Sequence, residues 1–400
     1  MKHYLKGRDT LLSTIFVFIL TGILGLSVIN IHVFVPFERA FRDFELTDIY
    51  YSKIRNEKQT VDTSIVIINI GHLKRDSIAL MLNRVNSRKP KVVGLDAFFT
   101  VRKGTDSDSM LKSAFSATQN LVLAGIVFSD EDGRNQISGS HPWFGNYLPA
   151  YANLTGNEDN TTTVREFRPF IVNGDSAWPS FTTEIIKKVN QQAWENLKNR
   201  GHEYEIIHYT GGQNSFICID VNDFFNPATD LGVLKNKIVL MGYMGESFDA
   251  PQDLEDLHFT PMNPKVSGRA IPDMRGILIH ANIIRMALRD DYVTIIPSWF
   301  NWLIAFVLCY LHLALFIYLY LKRHKWYHFT GKIIQFITSV LLIWLAFLVY
   351  EHFGIKISVV PSVVVIMLSM DLLNFYEALV KFIGSKSGFK SIFQELQHND

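Results

Sequence analysis

Apolar residues are concentrated in one long run near the amino terminus and three runs near the carboxyl terminus. They occupy 11–35, 298–321, 333–350 and 357–380. A helix needs roughly 20 apolar residues to cross a hydrocarbon core of about 30 Å, and all four runs approach or exceed that length. The first run is too long for the apolar part of a secretory signal, and no A-x-A-like cleavage site follows it. The pattern therefore predicts four transmembrane α-helices, one N-terminal and three C-terminal.

Basic residues flank these spans unevenly, and Lys and Arg accumulate on the cytoplasmic side of a membrane. The turn 351–354 contains neither residue type. We therefore expect 1–10, 322–332 and 381–400 to be cytoplasmic, and 351–356 to be an extracytoplasmic turn. This places both termini in the cytoplasm of a bacterial inner membrane and the large 36–297 domain in the periplasm. The residues that decide it are Lys2, Lys6, Arg8, Lys322, Arg323, Lys325, Lys381, Lys386 and Lys390.

The 36–297 domain alternates short apolar runs with helical spacing. Continuous apolar runs of this length are typical of strands buried on both faces, and they occur at 64–69, 91–96, 121–128 and 237–242. Apolar residues three and four apart predict intervening helices, at 75–87, 107–118, 179–199 and 275–288. Strand, helix and strand in succession form a parallel unit with a right-handed crossover. The pattern predicts an α/β domain with a central mixed, largely parallel sheet.

Two stretches of this domain are less regular. Residues 129–162 are rich in Gly, Asn, Asp, Ser and Thr, which indicates an irregular surface insertion. Residues 203–208 and 216–220 have strand character on either side of Thr210-Gly211-Gly212. We expect them to form a strand pair.

Composition bears on two properties, binding to nucleic acid and stabilisation of the large domain by a disulfide. The formal net charge is +1 over 400 residues, so nothing points to a nucleic-acid partner. The two cysteines are Cys218, in the large domain, and Cys309, inside the second span. They are predicted to lie in different compartments, so the large domain must be stable without an internal disulfide.

Several ordered motifs in the large domain are similar to those of one family. LKNKIVLMG at 234–242, DLHFTP at 256–261 and DMRGILIHAN at 273–282 resemble the GKIVLIG, D-x-x-x-T-P and PGVxIHAN segments of the CHASE2 domain family. PKVVGLDAFF at 90–99 and WPSF at 178–181 resemble two further family segments. The resemblance covers about 36–290.

The resemblance implies a bacterial membrane protein with an extracytoplasmic sensory domain, which often forms a homodimer. The sequence departs from the family where GHLKR at 71–75 replaces W-P-W-x-R and where Arg275 replaces a proline. Family members usually continue into a cyclase, kinase or phosphatase output domain. This sequence ends at Asp400, so we expect any signal to pass to a separate protein.

Four residues are candidate ligand-binding positions. Asp96 ends a predicted buried strand, and α/β proteins bind ligands at the carboxyl ends of their strands. Asp256, His280 and Asn282 lie in the family motifs. A structural role is the alternative, in which His280 and Asn282 are buried and hydrogen-bonded. No G-x-S-x-G, H-E-x-x-H or Walker A sequence is present, so we expect a protein with no catalytic residues and no cofactor, not an enzyme.

Acidic residues crowd the segment that includes Asp256. Their carboxylates are the ligand type that divalent cations prefer. The spacing matches no EF-hand loop, and Pro251 prevents a helix there. We therefore expect a solvated acidic loop and no metal site at Asp249, Asp253, Glu255, Asp256 and His258.

The predicted spans contain polar residues, which are costly within a bilayer and often functional. His312 lies in the second span, and Asp371, Asn374 and Glu377 follow one face of the fourth at intervals of three. They either contact a helix of a partner or reach water at the cytoplasmic interface. The tail at 382–396 has amphipathic spacing, which indicates that it lies on the membrane or docks a cytoplasmic partner.

Two functions fit these observations. The first is a non-catalytic anchoring or docking subunit of an envelope membrane complex, with protein partners in the envelope or inner membrane. The alternative is an extracytoplasmic sensor of a small molecule that passes its signal to a separate partner. The sequence alone names neither the ligand nor the partner.

Overall fold

A computed structural model of the chain describes residues 7–30, 45–55, 60–147, 149–154, 162–173, 176–248, 253–265, 271–322, 326–387 and 389–395. The chain divides into two units. Asp43–Val293 is called the α/β unit below, and Met1–Arg42 together with Thr294–Asp400 is called the helical unit.

Helices occur in both units. In chain order they are α1 (Arg8–Asn30), α2 (Leu46–Ile49), α3 (Arg75–Asn86), α4 (Asp106–Ala117), α5 (Phe181–Val189), α6 (Gln191–Arg200), α7 (Val221–Phe225), α8 (Gly276–Leu288), α9 (Ser298–Leu321), α10 (Tyr327–Phe353), α11 (Val360–Ser387) and α12 (Ile392–Glu395).

Most strands belong to the α/β unit. They are β1 (Asp62–Asn69), β2 (Val92–Leu95), β3 (Leu121–Ser129), β4 (Asn135–Ser138), β5 (Ala150–Tyr151), β6 (Glu166–Phe167), β7 (Phe170–Asn173), β8 (Ser176–Pro179), β9 (Glu205–Ile206), β10 (Phe216–Ile219), β11 (Ile238–Gly242), β12 (Leu257–His258), β13 (Met274–Arg275), β14 (Thr294–Ile295) and β15 (Ile355–Lys356).

The main sheet confirms the predicted fold class. Its order is β10-β1-β11-β2-β3-β4, and β5 also pairs with β3. Only β4 runs antiparallel to its neighbour among the described strands of this sheet. Ile67 is opposite Leu240, which is opposite Gly94. The sheet is therefore mixed and largely parallel, as the runs of buried apolar residues predict.

Helices cover both faces of this sheet. Side chains of α3 and α4 pack against Val66, Ile68 and Val93 in the main core. On the other face α5 approaches β2 so closely that a Cβ on Gly94 would lie 2.6 Å from the Ile185 Cδ1 atom. A glycine at that position lets the helix reach the strand. The strands are consequently buried on both sides, and their carboxyl ends meet at one edge.

The helix predicted over 179–199 is two helices. Asn190 lies between α5 and α6 with φ −151° and ψ 103°, an extended conformation that stops the first helix. Its side chain then accepts hydrogen bonds from the amides of Gln192 and Ala193 at 3.0 and 3.3 Å. An asparagine that caps a helix start in this way supplies a partner for otherwise unpaired N–H groups.

The predicted pairing of 203–208 with 216–220 is wrong. β9 pairs antiparallel with β6, whereas β10 joins the main sheet parallel to β1. Between them, the Ile207 amide donates to the Arg165 carbonyl at 2.8 Å, and Asn282 holds residues 210–211. These contacts separate the two strands. The irregular insertion predicted at 129–162 contains β4 and β5 in its described part, and 155–161 lie outside it.

The helical unit contains helices that can cross a membrane. Four are long and apolar enough among the described residues: Arg8–Leu26 within α1, α9, α10 and α11. Phe16 contacts Tyr376 and Phe18 contacts Phe306, with ring centroids 5.8 and 5.5 Å apart. α10 exceeds the predicted span 333–350 at both ends, whereas α11 begins three residues after the predicted start at 357 and continues past 380 to Ser387.

The carboxyl-terminal tail packs within the helical unit. Phe393 of α12 is fully buried, with its ring 5.8 Å from Tyr320 and 6.1 Å from Tyr376. Buried Asp9 accepts hydrogen bonds from the Ser391 hydroxyl at 2.9 Å and the Ile392 amide at 3.1 Å. The apolar side chain of Phe393 therefore has an intramolecular partner, unlike the membrane or partner contact expected from sequence. Leu396 of the same pattern lies outside the described residues.

Candidate functional site

The carboxyl ends of three neighbouring parallel strands define the candidate site in the α/β unit. Asn69 at the end of β1 pairs with Gly242 at the end of β11, and Met241 pairs with Leu95 of β2. Asp96 follows directly, and its amide donates to the Met241 carbonyl at 2.8 Å. Continuation of the sheet hydrogen bonding therefore fixes Asp96 at the edge where ligand sites of open α/β sheets lie.

The carboxyl group of Asp96 is poorly solvated. Its side chain is 20 % exposed, and its Oδ2 atom lies 4.0 Å from the Nε2 atom of His280. Burial, with a smaller contribution from the negative charge of Asp256, raises the pKa of Asp96 to about 7. Asp96 thus changes charge near neutral pH.

His280 is a buried imidazole on α8. Its side chain is 5 % exposed, and the ring of Phe181 lies 5.4 Å from it at an edge-to-face angle. Burial lowers the pKa of His280 to about 4, although the charge of Asp256 opposes this shift. The ring is therefore neutral at pH 7. Within the described part of the chain, its Nδ1 atom has no hydrogen-bond partner.

Asp256 connects this pair to the start of α8. Its Oδ2 atom accepts from the Gly276 amide at 3.1 Å, and its carbonyl accepts from the same amide at 3.2 Å. A Cβ on Gly276 would lie 3.1 Å from both carboxylate oxygens. The carboxylate therefore sits at the first turn of the helix, where the N–H groups and the helix dipole favour a negative charge.

His258 completes the group, which we call the acid–imidazole cluster: Asp96, Asp256, His258 and His280. The Nε2 atom of His258 lies 3.3 Å from Asp256 Oδ1, and the His258 side chain is largely buried. The Asp273 amide donates to the His258 carbonyl at 3.0 Å. Asp273 in turn accepts from the Thr260 amide at 2.8 Å, so the D-x-x-x-T-P segment is folded onto the strand that precedes α8.

A second polar network lies at the ends of β1 and β11. The Asn69 amide group donates to Asp220 Oδ1 at 2.8 Å and to the Gly245 carbonyl at 2.9 Å. Asp220 Oδ2 accepts from the Ser247 hydroxyl at 2.8 Å. Burial alone would raise the pKa of Asp220, but the hydrogen bonds from Asn69, Ser247 and two amides outweigh it and lower that pKa. Asp220 is a satisfied, ionised carboxylate that shapes the edge.

Arg275 links the acidic loop to β11. Its guanidinium donates to the Asp253 carbonyl at 2.8 Å and lies over the Tyr243 ring, 5.5 Å from the centroid. The Tyr243 hydroxyl donates to Asp253 and lies 3.1 Å from His72 Nε2. This residue, which departs from the family pattern, thus closes the loop against the strand. No group of side chains able to hold a metal ion is found among the described residues, and Asp249 lies outside them.

Asn282 lies on α8 but has a different environment. It is fully buried; its amide group donates to the Gly211 carbonyl at 3.0 Å, and its Oδ1 atom accepts from the Thr210 amide at 2.7 Å. No hydrogen bond in the described structure joins it to Asp96, Asp256 or His280. Its side chain therefore fastens a loop, while His280, two residues earlier, belongs to the cluster.

The polar residues of the helical unit form local pairs. His312 contacts the Leu308 carbonyl at 2.8 Å and the Thr338 hydroxyl at 3.3 Å. Lys332 donates to Asp371 at 2.6 Å, with both side chains about half exposed. Glu377 accepts from the Tyr320 hydroxyl and from Lys381, each at 2.7 Å.

Asn374 is exposed, and its side chain has no hydrogen-bond partner among the residues described. It shares α11 with Asp371 and Glu377.

Comparison with known proteins gives one match. The model of the CHASE2 domain family matches residues 17–317. The chain belongs to the CHASE2 family. No curated protein and no solved structure matches it. CHASE2 is an extracellular sensor domain family, and together with the four apolar helices this identifies a CHASE2 membrane protein.

The structure brings together three of the four ligand-site residues predicted for the CHASE2 domain: Asp96, Asp256 and His280. Sequence reasoning placed His258 only in the acidic loop and missed Asn69. His258 could have been found from its place inside the D-x-x-x-T-P motif. The signal for Asn69 is the one that identified Asp96, a polar residue at the end of a buried strand.

Proposed function

We propose that this CHASE2 protein is an extracytoplasmic sensor that is anchored by four spans and passes its signal to a separate partner. The observation that carries the proposal is the acid–imidazole cluster at the carboxyl edge of the sheet. It combines a carboxyl that titrates near pH 7 with a buried imidazole whose Nδ1 atom lacks a partner among the described residues. Perturbed titratable groups at such an edge are typical of functional sites.

The cluster is built so that a change in its charge acts on α8. His280 belongs to this helix, and Asp256 holds its first amide. In the sequence α8 is followed by β14 and then by α9, the second predicted span. A change in the protonation or contacts of the cluster therefore acts on the last helix of the α/β unit, which precedes the predicted second span in the sequence.

We include in the proposal that the protein is not an enzyme and has a periplasmic CHASE2 domain. Within the described chain, no serine, cysteine or lysine side chain hydrogen-bonds to the four cluster residues, so the cluster activates no nucleophile of these three types. The distribution of basic residues supports the inner-membrane location with both termini cytoplasmic.

A second candidate function is the one expected from sequence, an anchoring or docking subunit of an envelope complex. The Lys332–Asp371 pair supports it: Lys332 lies at the predicted cytoplasmic boundary, and 49 % and 54 % of the two side chains are exposed and available for contact with protein. A partner helix or a second copy of the chain would supply that contact.

Partner recovery distinguishes the two functions. The tagged full-length chain is purified in mild detergent from its native membrane as wild type, Asp96→Asn and the surface control Ser113→Ala. The sensor proposal predicts stoichiometric partners whose recovery changes at least threefold in Asp96→Asn and stays unchanged in Ser113→Ala. Equal recovery from all three proteins supports the docking subunit. A chain that purifies alone or only with itself contradicts both.

A further inference from the structure

A cavity of about 460 Å³ lies beside β3 in the α/β unit. Leu123 and Ala124 of β3 line one side, Ile137 and Ser138 of β4 line another, and Thr100 of the loop after β2 also belongs to the lining. Its volume is within the range of about 300–1,000 Å³ that small-molecule sites occupy. None of the four residues of the acid–imidazole cluster lines it.

The walls of this cavity are joined by hydrogen bonds. The Phe99 amide donates to the Ser140 hydroxyl at 3.0 Å, and the His141 amide donates back to the Phe99 carbonyl at 2.8 Å. These two bonds connect the loop after β2 with the segment after β4. The two segments are therefore fixed relative to each other before a ligand binds, which lowers the cost of ordering them around it.

Glycines allow the close packing behind these walls. A Cβ on Gly125 would lie 2.7 Å from the Ser138 carbonyl oxygen and 2.8 Å from Pro149 Cβ. A Cβ on Gly139 would lie 2.9 Å from the same Pro149 atom. Larger residues at either position would push the two walls apart. The shape of the cavity is thus specified by the sequence.

The lining combines polar and apolar residues. No aspartate, glutamate, lysine or arginine is present among the described residues that line it. A charged ligand would lose its hydration without an opposite charge to replace it, whereas a neutral ligand needs only hydrogen bonds. These are offered by Thr100, Ser138, Ser140, His141, Asn146 and Tyr147.

His141 supplies a directed donor. The Trp143 amide donates to its Nδ1 atom at 3.1 Å, so Nδ1 is an acceptor and the ring donates through Nε2. Apolar surface accompanies these polar groups, from Leu123 and Pro142 and from the ring of Tyr147. Hydroxyl and amide groups next to apolar faces match a molecule that has both many hydroxyls and C–H faces.

We propose that this cavity binds a neutral, hydroxyl-rich small molecule, a monosaccharide or a polyol. The loop after β2 begins at Asp96 and reaches the lining residue Thr100, so a ligand in the cavity contacts the segment that carries the cluster carboxylate. The assignment of the ligand as the input signal rests on the proposed sensor function, but binding itself does not.

Calorimetric titration of the full-length chain in lipid nanodiscs tests the proposal. The probes are glucose, galactose and sorbitol, with glucuronate and glucosamine as anionic and cationic counterparts of similar size. We expect saturable binding of at least one neutral probe and at least tenfold weaker binding of both charged sugars. Absence of binding by the three neutral probes, or a preference for a charged one, overturns the proposal.

Two variants locate the site. Ser138→Ala and Asn146→Ala each remove one hydrogen-bonding group from the lining, and Ser113→Ala and Asn222→Ala make the same changes at exposed positions outside it. Loss of one hydrogen bond corresponds to weakening of about fivefold to tenfold. Unchanged affinity in both cavity variants would place the binding elsewhere and overturn the assignment. If a neutral probe binds to the cavity but Asp96→Asn does not change the recovery of partners, the sensor function is contradicted and the ligand assignment stands.

Discussion

Two cluster residues carry opposite pKa shifts. Asp96 has a folded-state pKa of about 7 against an ordinary 3.8, so its contribution to stability is present at low pH and is lost as pH rises through 7. His280 has a folded-state pKa of about 4 against 6.5, so its contribution is present above 6.5 and is lost as pH falls towards 4. Between pH 4 and 6.5 a rise in pH therefore weakens the contribution of Asp96 to stability and strengthens that of His280.

A single substitution at Asp96 or His280 should reveal the pH-dependent contribution of the other residue to stability. Asp96→Asn keeps the shape and removes the charge, so we expect a melting temperature higher by on the order of 5 °C at pH 8. Between pH 4 and 6.5 the melting temperature of this variant should rise with pH more steeply than that of wild type. Differential scanning fluorimetry of the full chain over pH 4–8 measures both. Parallel pH profiles of variant and wild type would contradict the pKa assignment.

The complementary change is His280→Gln. Without the imidazole, the carboxyl of Asp96 alone governs this part of the profile, so the melting temperature should fall as pH rises from 4 to 7 more steeply than in wild type. The same fluorimetric series measures it. A profile that becomes flatter than the wild-type profile would show that His280 does not titrate as a buried neutral ring.

Gly276 is the residue that admits Asp256 to the start of α8. A Cβ at position 276 would lie 3.1 Å from both carboxylate oxygens of Asp256, so Gly276→Ala should push this carboxylate away from the start of α8. The weaker helix cap should lower the free energy of unfolding by about 1 kcal/mol. The substitution should also lower the pKa of Asp96, because the charge of Asp256 raises it. Gly212→Ala is the control, since a Cβ there meets no atom within 4 Å. Equal loss of stability in both variants would contradict the role of Asp256.

At the scale of elements, α8 has two functional faces. His280 contributes to the cluster, while Asn282 fastens residues 210–211. Asn282→Ala should destabilise the fold by on the order of 3 kcal/mol, because several buried backbone groups lose their partner. The pH profile set by Asp96 should remain. Chemical denaturation of this variant and of the exposed control Asn222→Ala measures the difference, and equal stability of the two would contradict the assignment.

The sequence predicts most of the helices and strands but not all of the strand pairing. Buried strands and the helices between them follow from apolar runs and periodicity, and the four spans follow from length. The pairing of β10 with β1 does not, because the two strands lie far apart along the chain and the apolar pattern of a strand does not specify its neighbour in the sheet. The sequence predicts Asp96 from its place at the end of a strand, and Asp256 and His280 from the family motifs. The role of Asn282 is not predicted in this way, since it depends on the position of residues 210–211.

At the scale of the whole molecule, the proposed topology puts the CHASE2 domain and the tail on opposite sides of the membrane. In a chain without Cys218 and Cys309, Ser113→Cys should react with a membrane-impermeant maleimide in intact spheroplasts. Ser385→Cys should react only after lysis. The reverse pattern, or equal labelling of both positions, would contradict the orientation.

Transmission across the membrane is the central claim, and one measurement tests it most directly. Ser385→Cys carries an environment-sensitive fluorophore in vesicles with the CHASE2 domain outward, and only the external pH is changed between 5 and 8. The account predicts a fluorescence change with a midpoint near pH 7 that is lost in Asp96→Asn and kept in Ser113→Ala. A signal that ignores external pH, or that persists unchanged in Asp96→Asn, would contradict it.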